Sequence, residues 1–472
     1  MLTLEEFRQH AHKVVDWMTD YYKRVEELPV KSLVSPGDIY GLVPENPPED
    51  PEAMDKILND FDEKIIPGIT HWQSPDFFAY FPANSSYPSV LAEMITATLG
   101  TQCMIWETSP AAAELEEKMM NWLKKMIGFP SGFQGVIQDT ASTATLAALI
   151  TAREVKSNYT INEKGFGGNE NYRIYASEET HSSIEKAVKI AGFGRKNLVK
   201  APVKRDFTMD TQALEQLIRT DLNEGYTPLA VIATLGTTGT TSVDPLGEIA
   251  AIADEFNLWL HVDAALAGSA LILPEYRWMT EGIERVDSFV FNPHKWLFTN
   301  FDCSVYFVRD TEALIRTFEI LPEYLKTGTR GAVNDYRDWG IPLGRRFRAL
   351  KLWFVIRNYG LSGLQEALRN HIRLAGEIKE TIKNSHHFEL MAPAPLNTVC
   401  FRFNPGNFPD EELNNLNAKL LEQVNRTGKA YFTHTKLHGN FVIRFMIGQT
   451  NTKDEHVYRA WELIDKTAAS LI

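Results

Sequence analysis

Four short stretches of the 472-residue chain put reactive side chains where apolar runs stop. In "SFVFNPHKW", residues 288–296, a strand-like run ends and Pro293 cannot continue its ladder. Lys295 therefore stands at a strand exit, where α/β proteins concentrate their chemistry. Alone it would be one more solvated cation among 48 lysines and arginines. Upstream, "LWLHVDAALAGSA" ends a second strand on Asp263, flanked by Val262, Ala264, Ala265 and Leu266. A carboxylate in such company is expensive to keep ionised unless a cation or several donors meet it. Its plainer reading is a turn or helix-capping aspartate, yet the alanines leave room for something flat against the backbone.

The third stretch, "GVIQDTASTATLAALITAR", runs from a strand through Thr140 and Ser142 straight into an Ala/Leu-rich helix. Unpaired backbone N–H groups and the dipole at a helix start make an anion site, although the same pattern is also a common cap. Asp139, just before it, is an awkward neighbour for an anion and should point away. In the fourth, "YASEETHSSIEKAVKIAG", His181 falls between a strand and a helix start, where the dipole favours a neutral imidazole. By itself it reads as a surface cap. Taken together, a phosphate site, an acid for a ring nitrogen, a lysine for an aldehyde and a ring to stack describe pyridoxal phosphate.

The elements that must position these groups follow from the apolar pattern. "GVIQ", "RIYAS", "LVKAPV", "AVIATLG", "LWLHVDA", "SFVF" and "CSVYFV" alternate with helical segments such as "PLGEIAAIADEF". This predicts an α/β fold with a mostly parallel sheet covered by helices on both faces. Three segments are expected: an N-terminal helical part, 1–85, a large cofactor-binding domain, 86–365, and a small C-terminal α+β domain, 366–472. The first helix carries Phe7, Val14, Val15, Met18, Tyr22 and Val25 at helical spacing, a stripe that must pack on the chain or on a second subunit. A net charge of −13 without basic runs argues against nucleic acid and anionic membranes as partners. No apolar run is long enough to span a bilayer, and the N-terminus lacks a signal-like core, which points to the cytoplasm. Cys103, Cys303 and Cys400 are too scattered for a zinc site, and no metal is expected.

"FNPHKW", "HVDAALAGS", "ETHSSIEKA", "ATLGTT" and "IPLGRRFR" together resemble the group II pyridoxal-phosphate decarboxylases, most closely the aromatic L-amino acid decarboxylases. The resemblance runs from about residue 5 to 460. It implies the fold of the type I pyridoxal-phosphate enzymes and a homodimer with the active site at its interface. It gives Lys295 the cofactor's aldehyde, Asp263 the pyridinium nitrogen, His181 one face of the ring and Ala265 the other. Thr140, Ala141 and Ser142 would hold the phosphate, with Thr238, Asn292 and His294 completing the shell; Trp296 reads as packing. An ionised Asp263 about 4 Å from the ring, at an effective dielectric near 20, is worth roughly 4 kcal/mol.

The same resemblance makes Tyr324 the proton donor, on a glycine-bearing, charged stretch (321–340) that reads as a mobile lid. Relatives with phenylalanine there make aldehydes. The substrate ring would meet "HWQSPDFFAYFPANSSYP", with Trp72, Tyr80, Phe81, Pro82 and Ala83 as its contacts, although an aromatic run of this kind is also ordinary core. Some animal members have threonine where this chain has Ala83. Gly344, in "WGIPLGRRFR", matches a position that lies against the substrate ring from the partner subunit and leaves room for a wide ring. The expected reaction is decarboxylation of tryptophan, 5-hydroxytryptophan, dopa, tyrosine or phenylalanine. The alternatives are an aldehyde synthase of the same family, a histidine or glutamate decarboxylase, and a silent binding relative.

Overall fold

The computed structural model describes residues 2–168, 170–320, 333–406 and 408–471. The chain forms two compact units, and both run through more than one chain segment. One comprises Met1–Pro82, Glu377–Met391 and Cys400–Ile472; the other comprises Ala83–Gly376 and Ala392–Val399. The first 82 residues thus share a unit with residues 377–391 and 400–472.

The larger unit is built on a seven-stranded sheet: β1 (Gln134–Gln138), β2 (Tyr172–Ser177), β3 (Leu198–Ala201), β4 (Thr227–Thr234), β5 (Trp259–Asp263), β6 (Ser288–Phe291) and β7 (Ser304–Val308). Their order is β1-β7-β6-β5-β4-β2-β3. The pairs from β3 through β6 are parallel, and β7 runs antiparallel to both β6 and β1. The reversal has a simple cause. A parallel return needs a crossover element, and the link after β6 holds only the four-residue helix Pro293–Trp296. Strands β4 to β7 are buried at nearly every residue, as expected for a sheet covered on both faces.

Two glycines let the layers close. A Cβ on Gly268 would sit 2.3 Å from the Phe291 Cβ, so only glycine admits the end of β6 there. Gly236 has φ +81°, and its Cβ would fall 2.8 Å from that of Ala267.

Four further strands, β8 (Phe388–Leu390), β9 (Thr398–Phe403), β10 (Thr433–Leu437) and β11 (Asn440–Met446), make a sheet in the order β10-β11-β9-β8, which apart from Thr398 and Val399 belongs to the smaller unit. The N-terminal segment is tied in by backbone: Val30 N–H donates to the Gly428 carbonyl, Phe78 N–H to Tyr431, and Met446 N–H to Phe78. The first helix, Leu4–Arg24, opens with a Thr3/Glu6 capping box and has no buried residue. Its Trp17 still donates to Asp62 at 2.8 Å, while Phe7, Val14 and Val15 remain exposed.

Candidate functional site

Five loops of the larger unit leave the sheet at its carboxyl edge, and each carries a residue singled out in the sequence. Asp263 is the last residue of β5, 4% exposed, and its carboxylate accepts the Ala265 N–H at 3.0 Å. Its neighbours are fixed by the ladder: Thr234 of β4 on one side and Val290 of β6 on the other. Ala265, half-buried, returns a carbonyl to the Asn292 N–H at 3.0 Å, tying the β5 exit to the β6 exit.

Beyond β6, Asn292 is buried, and the Ser304 hydroxyl donates to its Oδ1 at 2.6 Å. Pro293 opens the short helix that presents Lys295. The Lys295 backbone is held at both ends: its N–H donates to the Asn292 carbonyl, and Asn84 Nδ2 donates to its carbonyl at 2.5 Å. Burial pushes the Lys295 ammonium below the usual lysine range, and the negative charge of Asp263 opposes that shift. A lysine biased toward its neutral form is a nucleophile for a carbonyl carbon.

His294 is buried, and its Nδ1 accepts the Cys303 N–H at 2.9 Å. Desolvation, with the charges of Lys295 and Lys351, pushes its pKa down to about 3 against the pull of Asp302, so it stays neutral. Trp296 is fully buried and donates Nε1–H to His371 Nδ1 at 3.0 Å.

His181 caps the helix Ser182–Ile190, as the sequence position suggested. The Ser183 N–H donates to Nδ1 at 3.1 Å, and the Ser183 hydroxyl lies 2.7 Å from the same nitrogen. With Nδ1 accepting, the neutral ring carries its proton on Nε2. His181 is exposed as a residue, yet surrounding protein partly desolvates the ring and lowers its pKa. Asp263 raises that pKa and Lys295 lowers it further. The charges of Asp263 and Lys295 thus both act on His181, although the three residues come from three different strand exits.

Thr140 caps the helix Ala141–Lys156 by accepting the Thr143 N–H. Ala141 and Ser142 form the first turn, where N–H groups lack intrahelical acceptors. Asp139 turns its carboxylate back onto the Thr140 N–H at 2.6 Å. Thr238 is exposed at the tip of the loop after β4, whose base is closed by hydroxyl contacts among Thr237, Thr240 and Ser242.

The residues expected around a substrate ring fall in both units. Trp72, Tyr80, Phe81 and Pro82 belong to the smaller one. There Trp72 stacks on Tyr80 with centroids 5.7 Å apart, the Tyr80 and Tyr431 hydroxyls meet at 3.2 Å, and Arg444 lies 5.6 Å from the Phe81 ring centroid. Ala83 and Gly344 belong to the larger unit. Next to Gly344, Arg345 is buried and makes two hydrogen bonds to Glu116, at 2.6 and 3.0 Å, while its backbone N–H donates to Gln102. Tyr324 lies outside the described residues.

Sequence reasoning missed Asn84, which holds the Lys295 carbonyl, and the buried Glu116–Arg345 pair. It also missed the His261 contacts to Thr145 and Ser288. For His261 a local signal existed, because it stands two residues before Asp263 and so on the same face of β5.

A lysine biased toward neutrality, a buried carboxylate, a neutral imidazole and a helix start at one sheet edge suit a ring with an aldehyde, a basic nitrogen and a phosphate. The site and the fold define a pyridoxal-phosphate enzyme. Residues 36–404 match the family described as "Pyridoxal-dependent decarboxylase conserved domain". Tyrosine decarboxylase 2 of Narcissus pseudonarcissus is 43% identical, over 99% of this chain and 95% of that protein. Phenylacetaldehyde synthase of Arabidopsis thaliana is 42% identical, over 99% and 97%. The crystal structure of Oryza sativa TDC with PLP and tryptamine superposes with a TM-score of 0.96 at 38% identity, covering 100% of this chain and 99% of that one. The chain belongs to the group II pyridoxal-phosphate decarboxylases, in their aromatic amino acid branch. It is a carboxy-lyase of that type, with pyridoxal 5'-phosphate as its cofactor.

Proposed function

We propose that the enzyme decarboxylates aromatic L-amino acids (tryptophan, 5-hydroxytryptophan, dopa, tyrosine or phenylalanine) to the arylalkylamine and carbon dioxide, as a cytoplasmic homodimer. The observation that carries this reading is the placement of Lys295, Asp263, His181 and the helix start at Ala141 at the carboxyl edge of one sheet. Lys295 would hold the cofactor through its aldehyde. Asp263, nearly buried, would pair with the ring nitrogen. His181, kept neutral, covers one face of the ring, with Ala265 on the other. The helix start at Thr140, Ala141 and Ser142 receives the phosphate, and Thr238, Asn292 and His294 close the shell. Bound pyridoxal phosphate supplies the sink for the electron pair left behind when carbon dioxide departs.

Tyr324 returns a proton to the carbon, which favours amine over aldehyde. Trp72, Tyr80, Phe81, Pro82 and Ala83 contact the substrate ring, with Gly344 reaching it from the second subunit. The similarity to a TDC solved with tryptamine supports an indole-sized pocket. For the homodimer, support comes from the helix Tyr87–Leu99, which exposes Tyr87, Leu91, Ile95 and Leu99 along one side.

The similarity to a phenylacetaldehyde synthase favours one second reading, oxidative deamination, which a tyrosine at 324 opposes. A panel assay separates the two. Purified enzyme is given each aromatic amino acid, histidine and glutamate, with carbon dioxide, amine, aldehyde and peroxide all measured. Amine from aromatic substrates supports the reading; aldehyde with peroxide, or histidine or glutamate as best substrate, overturns it.

A further inference from the structure

His261 is fully buried, two residues before Asp263 and on the same face of β5. Its ring lies beside that of Tyr306, also fully buried, with centroids 6.4 Å apart. An imidazole placed there without partners would be costly, so the partners it has are informative. Nε2 lies 3.1 Å from the Thr145 hydroxyl, near the start of the helix Ala141–Lys156. Nδ1 lies 2.9 Å from the hydroxyl of Ser288, its ladder partner at the start of β6. Trp259 donates Nε1–H to the same Ser288 oxygen at 2.9 Å, fixing that hydroxyl in place.

A neutral imidazole has one donor and one acceptor, and a hydroxyl can serve as either. Both contacts are therefore satisfied in either tautomer. Burial pushes the His261 pKa down to about 4, with Asp263 opposing, so the ring is neutral at physiological pH. One side chain thus joins three carriers: the helix whose first turn is assigned the phosphate, the strand ending in Asp263, and the strand leading to Lys295. An apolar residue would fill the same volume without fixing how these three lie against one another.

We infer that His261 is a positioning residue that aligns the anion-binding helix start and the Lys295 strand with Asp263 through two separable tethers. The inference rests on the assignment of Lys295, Asp263 and the helix start to the cofactor. Thr145→Val cuts the helix tether, and Ser288→Ala cuts the strand tether. His261→Asn reaches only the Ser288 side and should behave like Thr145→Val; His261→Gln reaches the Thr145 side and should behave like Ser288→Ala.

Two readouts apart from activity test this: the dissociation constant of pyridoxal phosphate for cofactor-free protein, and the pH midpoint of the bound cofactor's visible band. Losing one buried hydrogen bond weakens cofactor binding about 10-fold in Thr145→Val and His261→Asn. Ser288→Ala and His261→Gln should instead move the pH midpoint and leave affinity within about threefold. Thr145→Ser keeps the hydroxyl and should restore parent affinity, which guards against a variant that merely folds badly. The inference is overturned if neither readout moves, or if both move together in all four variants in step with lost thermal stability. Borohydride reduction of the parent holoenzyme, mapped to its lysine, tells the two failures apart. A label on Lys295 alongside unsplit readouts rejects the His261 tethers alone, whereas a label elsewhere rejects the cofactor assignment itself.

Discussion

Asp263→Asn removes one charge and almost nothing else. The asparagine Oδ1 can still accept the Ala265 N–H that the carboxylate accepts at 3.0 Å, so the turn after β5 should hold. Asp263 is only 4% exposed, which calls for an effective dielectric near 20 rather than that of water. At about 4 Å a unit charge is then worth roughly 4 kcal/mol, or about 3 pKa units on the group it faces. For the ring nitrogen that is the difference between protonated and largely unprotonated at neutral pH, and we expect kcat to fall up to about a thousandfold. The cofactor-free protein gives an independent check. Asp263 raises the pKa of both Lys295 and His181, so the mutation must lower both. Acylation of Lys295, followed against pH by peptide mass spectrometry, should begin at lower pH than in the parent. Near-parent kcat, or an unmoved Lys295 profile, would refute the reasoning.

In air, with dioxygen as the oxidant, Tyr324→Phe should lose amine and yield aldehyde, ammonia and peroxide; amine formation at the parent rate excludes Tyr324 as the proton donor. If Gly344 borders the substrate ring as proposed, Gly344→Ser should shift preference away from indoles by about 10- to 200-fold, because the added bulk takes room from a wide ring. An unchanged indole-to-phenol ratio of kcat/KM would contradict this. Glu116→Ala leaves the buried Arg345 guanidinium without its carboxylate and should cost about 3–5 kcal/mol, read as a loss of several degrees in Tm. Acid should also weaken the fold. His261 and His294 are held neutral, with pKa values of about 4 and 3 against 6.5 in the unfolded chain. The unfolded state therefore binds more protons between these values, so stability falls as pH drops below 6.5. Urea midpoints at pH 7 and pH 5 measure the slope, and a flat profile would count against it.

Lys295, Asp263 and His181 were legible because each stands where an apolar run stops, a signal carried within about ten residues. The sheet was legible for the same reason, since its strands are near-continuous apolar runs between helices. What the sequence hid was separation. Glu116 and Arg345 are 229 residues apart, and Thr145 and His261 are 116 apart, with nothing local to announce either pair. The compact units were hidden likewise, because Val30 pairs with Gly428 and Phe78 with Tyr431 across most of the chain. The Asp139 carboxylate accepts the Thr140 N–H, a turn contact that composition does not encode.

The central claim is that Lys295 is the residue that bonds the cofactor. Borohydride reduction of the holoenzyme followed by peptide mapping tests it most directly. A pyridoxyl group is expected on Lys295, in the peptide containing "NPHKW", and none in Lys295→Ala. A stoichiometric label on any other lysine would contradict it.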